Sequence, residues 1–141
     1  MKTFVKPLVV GLAIAFIISC NNPHKILISK NGTWTATYET TIGSFGTFTD
    51  VKTITFYEGS ATVVDTAGVK SSFNWYYDKK GGKIVTNSYL PAFGHTDVYT
   101  TKYSISESSA NSEKWTYESL SKNDSTITTT DYSQTISLVR K

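Results

Sequence analysis

Two histidines and one cysteine are the side chains whose chemistry suits acid–base or nucleophilic work near neutral pH. His95 lies in the segment Phe93-Gly94-His95-Thr96-Asp97, in which the carboxylate of Asp97 could orient the imidazole ring. Catalysis would also need a nucleophile and an oxyanion site, and the spacing of the residues identifies neither. We therefore predict that the protein is not an enzyme.

Other site types lack the residue patterns that they need. His24 and His95 lie in separate segments and make a poor zinc set, so no metal site is predicted. The acidic residues are scattered singly, and the glycines form no phosphate-binding motif. The largest basic cluster is the pair Lys79-Lys80, which is too small for a nucleic-acid interface. We expect no cofactor and no nucleic-acid partner.

The first nineteen residues have the layout of a secretory signal. Lys2 and Lys6 supply positive charge, and an apolar run over residues 8–19 ends at a small residue before Cys20. As a helix this run would span about 18 Å, which is short against a bilayer hydrocarbon core of about 30 Å. The sequence predicts that residues 1–19 are a leader that is removed.

The end of the leader, Ile17-Ile18-Ser19-Cys20, resembles the lipobox of bacterial lipoproteins. The resemblance implies that the Cys20 thiol carries diacylglycerol, that the chain is cut before it, and that its new amino group is acylated. Multiple acyl chains would hold the protein on a membrane effectively permanently. Asn21, rather than aspartate, then favours the outer membrane of the cell envelope, with the periplasmic or external face left open. The alternative is an ordinary signal peptide.

The composition after the leader favours strands. Removing Lys2 and Lys6 lowers the net charge from +3 to +1, and no cysteine beyond residue 20 is left for a disulfide. The nine tyrosines and three tryptophans all lie after Cys20, together with many threonines. Aromatic and β-branched residues fit pleated sheets. The composition predicts one all-β domain with a packed core.

Alternation with a period of two runs through the chain from residue 32. Trp34, Ala36 and Tyr38 share one strand face, and similar alternation recurs around Phe56, Trp75, Tyr103, Trp115 and Leu138. Turn residues separate these runs, with a longer gap predicted over residues 87–96. About eight antiparallel strands fit, which predicts an up-and-down barrel or a sandwich. Residues 20–31 are predicted to be a tether.

Gly32-Thr33-Trp34 at the first strand and Ser137-Leu138-Val139-Arg140 at the last resemble the lipocalin (calycin) superfamily. The resemblance implies a single antiparallel barrel over residues 32–141. It also implies that Trp34 closes the barrel floor and that Arg140 lies across its ring. A guanidinium stacked on indole gains about 0.5–2 kcal/mol and keeps donors for nearby carbonyls.

Two functions suit a barrel of this kind. The first is binding of a small apolar or amphipathic ligand by inward-facing aromatic residues: Tyr38, Phe56, Phe73, Trp75, Tyr103, Trp115 and Tyr117. Small barrels can instead be filled by side chains. The second function is interaction with an envelope partner through the loops at residues 42–47, 87–97 and 106–112.

Overall fold

The computed structural model describes residues 22–92 and 95–141, with the backbone alone described at residues 90–92 and 95. A short helix, α1 (Pro23–Ile28), precedes the sheet. Single 3₁₀ turns lie at Lys30–Gly32 and Gly43–Phe45. The strands are β1 Thr33–Ile42, β2 Gly46–Tyr57, β3 Ser60–Val64, β4 Lys70–Asp78, β5 Lys83–Ala92, β6 His95–Ser108, β7 Ser112–Lys122, β8 Ser125–Ile127 and β9 Tyr132–Arg140.

The strands close into a barrel. Each strand from β1 to β7 pairs antiparallel with the next one, and β9 pairs with both β7 and β1. The short β8 is an extra strand that pairs with the end of β7. Eight strands therefore form a continuous antiparallel ring, which confirms the predicted all-β barrel and excludes a two-sheet sandwich. This ring is compatible with a lipocalin-like fold.

The barrel has two different ends. We call the end that carries α1 and the β2–β3, β4–β5 and β6–β7 turns the closed end. The other end, which carries the β1–β2, β3–β4 and β5–β6 connections, is the open end. The core lies toward the closed end, where the Phe56 ring packs 5.3 Å from the Trp75 ring and 5.8 Å from the Trp115 ring, centroid to centroid. Removing these rings from water is the main contribution to stability.

Residues 23–31, which lie in the segment predicted to be a tether, are folded against the closed end. Pro23 occupies the first turn of α1, and the Asn22 side chain accepts a hydrogen bond from the His24 amide. Leu27 is fully buried, and its carbonyl accepts a hydrogen bond of 2.9 Å from the Trp34 indole. The difference arises because a helix of six residues is too short to show a helical period.

No helix in the described part of the chain is long and apolar enough to cross a membrane.

The gap predicted at residues 87–96 is filled by strands. β5 and β6 pair as far as Ala92↔His95, so this region is a hairpin rather than a long connection. β5 pairs with β4 from Lys83 only as far as Asn87↔Asn74. Toward the open end, among the described residues, β4 remains paired with β3 and β5 with β6, but not with each other. Pro91 is tolerated because it lies past the β4 ladder, where no hydrogen bond needs its missing N–H.

Candidate ligand cavity

Arg140 ties the last strand to the closed end. Its guanidinium carbon lies 4.2 Å from the centroid of the Trp34 ring. Its nitrogens donate hydrogen bonds to the carbonyls of Ala110 at 2.9 Å, Ser29 at 2.5 Å and Ile26 at 2.6 Å. One side chain thus joins β9, the segment after α1 and the β6–β7 turn. The structure places the residues named by the lipocalin resemblance, Trp34 and Arg140, in contact.

Gly32 permits this closure. Its φ is +57°, and a Cβ built on it would overlap the Phe56 carbonyl oxygen and lie 3.2 Å from the Leu27 carbonyl oxygen. The Gly32 amide donates to the Ser29 carbonyl at 2.9 Å. The chain therefore turns from α1 into β1 through a space that holds no side chain.

Glu113 is a buried acid beside this closure. Its side chain accepts hydrogen bonds from the Trp115 indole at 2.8 Å and the Ser108 hydroxyl at 3.1 Å. Burial raises the pKa of Glu113 to about 7, although both hydrogen bonds and the charge of Arg140 act in the opposite direction. Folded protein therefore changes the charge of its interior near neutral pH.

Glu113→Gln is expected to remove a pH dependence of stability. Because its pKa is raised on folding, Glu113 contributes most below its ordinary value of 4.5, and this contribution declines as pH rises through about 7. The free energy of unfolding of Glu113→Gln minus that of wild type should therefore rise by about 2–3 kcal/mol between pH 4.5 and pH 8. Urea unfolding at several pH values measures this difference.

Glu107→Gln, at an exposed carboxylate of β6, is the matched control, and its difference from wild type should change little over the same range. A Glu113→Gln difference that is constant from pH 4.5 to pH 8 would contradict the assignment.

A cavity of about 320 Å³ occupies the half of the barrel toward the open end. Its apolar lining includes Tyr38, Val63, Phe73, Tyr103, Trp115 and Ile136. Its polar lining includes Lys52 and several small hydroxyl side chains, which are those of Ser71, Ser72, Thr86, Ser88 and Thr101. The barrel is therefore filled in one half and open in the other.

The seven aromatic residues predicted to bind a ligand divide between these halves. Tyr38, Phe73, Tyr103 and Trp115 line the cavity. The other three pack below or beside it: Phe56, Trp75 and Tyr117. Phe56 and Trp75 belong to the buried core, and the Trp75 indole donates hydrogen bonds of 3.0 Å to the carbonyls of Tyr57 and Ser60. The Tyr117 ring packs against Tyr103 and Tyr132, and its hydroxyl lies 2.8 Å from that of Thr129.

The charged group of the cavity is Lys52. Its ammonium lies 3.0 Å from the Asp50 carboxylate and 5.3 Å from the centroid of the Tyr38 ring. Burial and the nearby Asp50 charge raise the pKa of Tyr38 to about 12, so its phenol stays protonated at neutral pH. The cavity thus offers a cation and a hydroxyl next to aromatic surface.

A hydrogen-bonded chain crosses the cavity wall. The Tyr103 hydroxyl donates to the Gln134 side-chain oxygen at 3.1 Å, and the Gln134 amide donates to the Thr40 hydroxyl at 2.9 Å. Burial raises the pKa of Tyr103 as well. These bonds fix the orientation of the Tyr103 ring where it faces the cavity.

Sequence reasoning missed the polar members of this interior: Lys52, Glu113 and Gln134. A signal was present, because each alternates with buried apolar residues of its own strand. Lys52 precedes Ile54 by two positions, and Glu113 precedes Trp115 by two. The period that places the aromatic residues inside also places these three inside.

Neither His24 nor Asp97, two of the residues considered for catalysis, lines the cavity. The His24 imidazole lies 3.0 Å from the Glu58 carboxylate and 5.1 Å from the Trp75 ring, at the closed end. Asp97 pairs instead with Lys122 at 2.7 Å, and this interaction holds the pKa of its carboxyl below the ordinary value. The side chain of His95 and the whole of Cys20 lie outside what the structure describes.

No protein-family model matches this chain, and the comparisons found no significantly similar curated protein or solved structure.

Proposed function

We propose that this protein is a lipid-anchored envelope lipoprotein whose lipocalin-like barrel binds a small amphipathic ligand without catalysing a reaction. The observation that carries the proposal is the cavity of about 320 Å³ in the open half of the barrel. A barrel that served only as a rigid scaffold would gain stability by filling this space, since packed interiors hold few voids larger than water.

The lining suggests the chemistry of the ligand. The volume is at the small end of the range of about 300–1,000 Å³ that is usual for ligand pockets. Aromatic rings of Phe73, Tyr103 and Trp115 favour a flat or apolar body. Lys52, which is paired with Asp50, and the Tyr38 hydroxyl favour a group that accepts hydrogen bonds at one end. A compact amphipath with such a polar end suits this arrangement.

The unpaired stretch between β4 and β5 supplies a route into the cavity. Ser71, Phe73, Ser88 and Tyr89 flank it and also line the cavity. The Asn74 amide donates a hydrogen bond of 3.3 Å to the Tyr89 hydroxyl across the two strands, at the point where their pairing ends. The ligand therefore has access through the wall as well as through the open end.

Thr86→Phe is expected to weaken ligand binding strongly while the barrel stays folded. Thr86 lines the cavity, so a phenyl ring there would occupy the space of the ligand. An anilinonaphthalene sulfonate dye, an aromatic anion of suitable size, serves as the probe. Its dissociation constant should rise at least about tenfold, equivalent to about 1.4 kcal/mol. Native mass spectrometry of envelope-extracted protein checks the natural ligand.

Thr62→Phe is the matched control. Thr62 is exposed on the outer face of β3 between buried Ala61 and Val63, so the same substitution there leaves the cavity unchanged. Dye binding by Thr62→Phe should equal that of wild type. Equal dye affinity in Thr86→Phe and Thr62→Phe would overturn the proposal, as would a wild-type protein that neither binds dye nor copurifies with a small molecule.

Interaction with an envelope partner is the second candidate. It is favoured by the β1–β2 hairpin at the open end, where Phe45 is 82% exposed and Phe48 is 55% exposed, beside the exposed Ile42. Clustered exposed apolar side chains are typical of contact sites. The cavity-filled variant separates the two functions, because Thr86→Phe should still capture a partner in a cross-linked pull-down if the hairpin is the binding site.

A further inference from the structure

The exposed lysines of the closed end form a basic surface. Lys25, Lys30, Lys79 and Lys80 are all exposed there, in the α1 segment and the β4–β5 turn. Exposed acidic residues of this end have partners nearby: the Glu58 carboxylate lies 3.0 Å from the His24 imidazole, the Glu107 carboxylate lies 3.9 Å from the Lys114 ammonium, and the Asp78 carboxylate accepts a hydrogen bond from the Lys80 amide at 3.0 Å. We call these four lysines the basic floor.

The open end has the opposite character. Two of its lysines are each paired with an aspartate, Lys52 with Asp50 at 3.0 Å and Lys122 with Asp97 at 2.7 Å, and a third, Lys70, is exposed at the start of β4. Further aspartates lie in its connections, at positions 65, 124 and 131. The described part of the barrel is therefore polarised, with positive charge at the closed end and negative charge at the open end.

The path of the chain brings the proposed anchor to the basic floor. Asn22 and Lys79 line the same surface groove, together with His24 and Tyr77. Cys20 precedes Asn22 by two residues, and two residues of extended chain span at most about 7 Å. A lipid on Cys20 would therefore hold the closed end within a few ångströms of the membrane surface.

We infer that the basic floor docks on the anionic headgroups of the membrane that holds the lipid on Cys20, and that the open end faces away from that membrane. The inference rests on the proposed lipidation. Charge complementarity supports it independently, because lysines next to an anionic leaflet are attracted to it and aspartates are repelled. The cavity then exchanges its ligand with the aqueous side or a facing partner, rather than with the leaflet that anchors the protein.

Fluorescent labels at the two ends test the orientation. Asn111→Cys lies in the β6–β7 turn at the closed end, and Ser44→Cys lies in the β1–β2 connection at the open end; both positions are exposed. Because Cys20 is the only natural cysteine, each lipidated variant offers one reactive thiol. The ten residues of β1 span about 33 Å along the strand, or about 25 Å along the axis of a barrel tilted by about 40°.

Each labelled protein is placed in vesicles that contain phosphatidylglycerol and a lipid with a nitroxide on its headgroup. We expect the nitroxide to quench the label at position 111 at least about threefold more strongly than the label at position 44, since quenching acts over a shorter range than the 25 Å between the ends. Equal quenching at both positions, or stronger quenching at position 44, would overturn the orientation.

The charge of the floor is tested with the label at position 111. Quenching should weaken when phosphatidylglycerol is replaced by phosphatidylcholine, and when Lys25, Lys30, Lys79 and Lys80 are all changed to glutamine. The matched control replaces lysines away from the floor, Lys70→Gln with Lys102→Gln, and should leave quenching unchanged. Quenching that is the same with both lipids and in both variants would overturn the docking of the floor on anionic headgroups.

The state of Cys20 and the cavity are measured separately. Intact mass spectrometry gives the lipid on Cys20, and incorporation of two labels per chain would show a free Cys20, which overturns both the anchor and the docking. Dye binding reports the cavity in every variant. Loss of the orientation with a lipidated Cys20 and normal dye binding would thus refute this inference alone.

Discussion

Gly32→Ala is expected to lower the free energy of unfolding by about 3–5 kcal/mol, one of the largest effects of any single substitution in the described barrel. Two costs combine at this position. The φ of +57° is unfavourable for any side chain, and the new Cβ would overlap the Phe56 carbonyl oxygen. That oxygen belongs to the backbone of β2, so it cannot rotate away as a flexible side chain would.

The matched control for Gly32→Ala is Gly59→Ala. Gly59 has a φ of +72°, but a Cβ there meets no atom within 4 Å. It should therefore cost only the conformational strain, about 1–2 kcal/mol. Urea unfolding followed by tryptophan fluorescence measures both variants. An equal decrease in the free energy of unfolding for Gly32→Ala and Gly59→Ala would show that the close approach of Gly32 to Phe56 adds nothing to the cost of the substitution.

Arg140→Ala is expected to destabilise the barrel by about 3 kcal/mol. The substitution removes the cation from the Trp34 ring, and it leaves the carbonyls of Ile26, Ser29 and Ala110 without their guanidinium donor. The stacking contributes about 0.5–2 kcal/mol, and hydrogen bonds from a charged donor contribute about 1.5–3 kcal/mol each before water replaces some of them. The closed end should also open locally, with faster hydrogen exchange of the Trp34 indole.

Arg140→Lys and Lys141→Ala are the controls for this prediction. Lysine keeps the charge but has no planar fork to span several carbonyls, so it should recover less than half of the loss. The Lys141 side chain makes one exposed hydrogen bond of 3.0 Å, to the Thr53 hydroxyl, and its removal should cost less than about 0.5 kcal/mol. Full stability in Arg140→Lys would mean that charge alone holds this end.

The strand pattern of the barrel could be predicted because a strand's period is local. Trp34 and Ala36 alternate with threonines, and Trp115 alternates with polar neighbours, so the buried face is visible within a few residues. Short turns between successive strands also predict that each strand has the next one as its antiparallel neighbour. Closure of the ring was implied by the lipocalin resemblance alone, and the structure confirms it through the pairing of β9 with β1 and β7.

The helix α1 and the unpaired stretch between β4 and β5 could not be predicted, because both depend on residues distant in the sequence. Leu27 is buried only because the closed end of the barrel receives α1, and six residues carry no helical period of their own. The end of β4–β5 pairing at Asn74↔Asn87 depends on the registers of β3 and β6 as well. The residues of a single strand do not determine how it is aligned with its neighbours.

The cavity could be predicted only in part. The sequence alone left open whether the barrel interior is filled or hollow. It predicted seven inward-facing aromatic residues but not their positions along the barrel axis. The structure places small inward residues, Ser71, Thr86 and Thr101, at the open half, while Phe56 and Trp75 lie deeper. These small residues share strand faces with the aromatic ones, and only the three-dimensional structure shows that they line one space.

The unpaired stretch of β4 and β5 also sets how the wall can deform. Each strand is held there by one outer neighbour, β3 or β6, so the two strands can separate as hinged flaps without breaking a ladder hydrogen bond. The contact that such a movement must release is the exposed bond between Asn74 and Tyr89. Widening at this seam therefore breaks no ladder hydrogen bond, whereas opening the ring at a paired position breaks several. The wall can thus move here while Phe56 and Trp75 stay packed near the closed end.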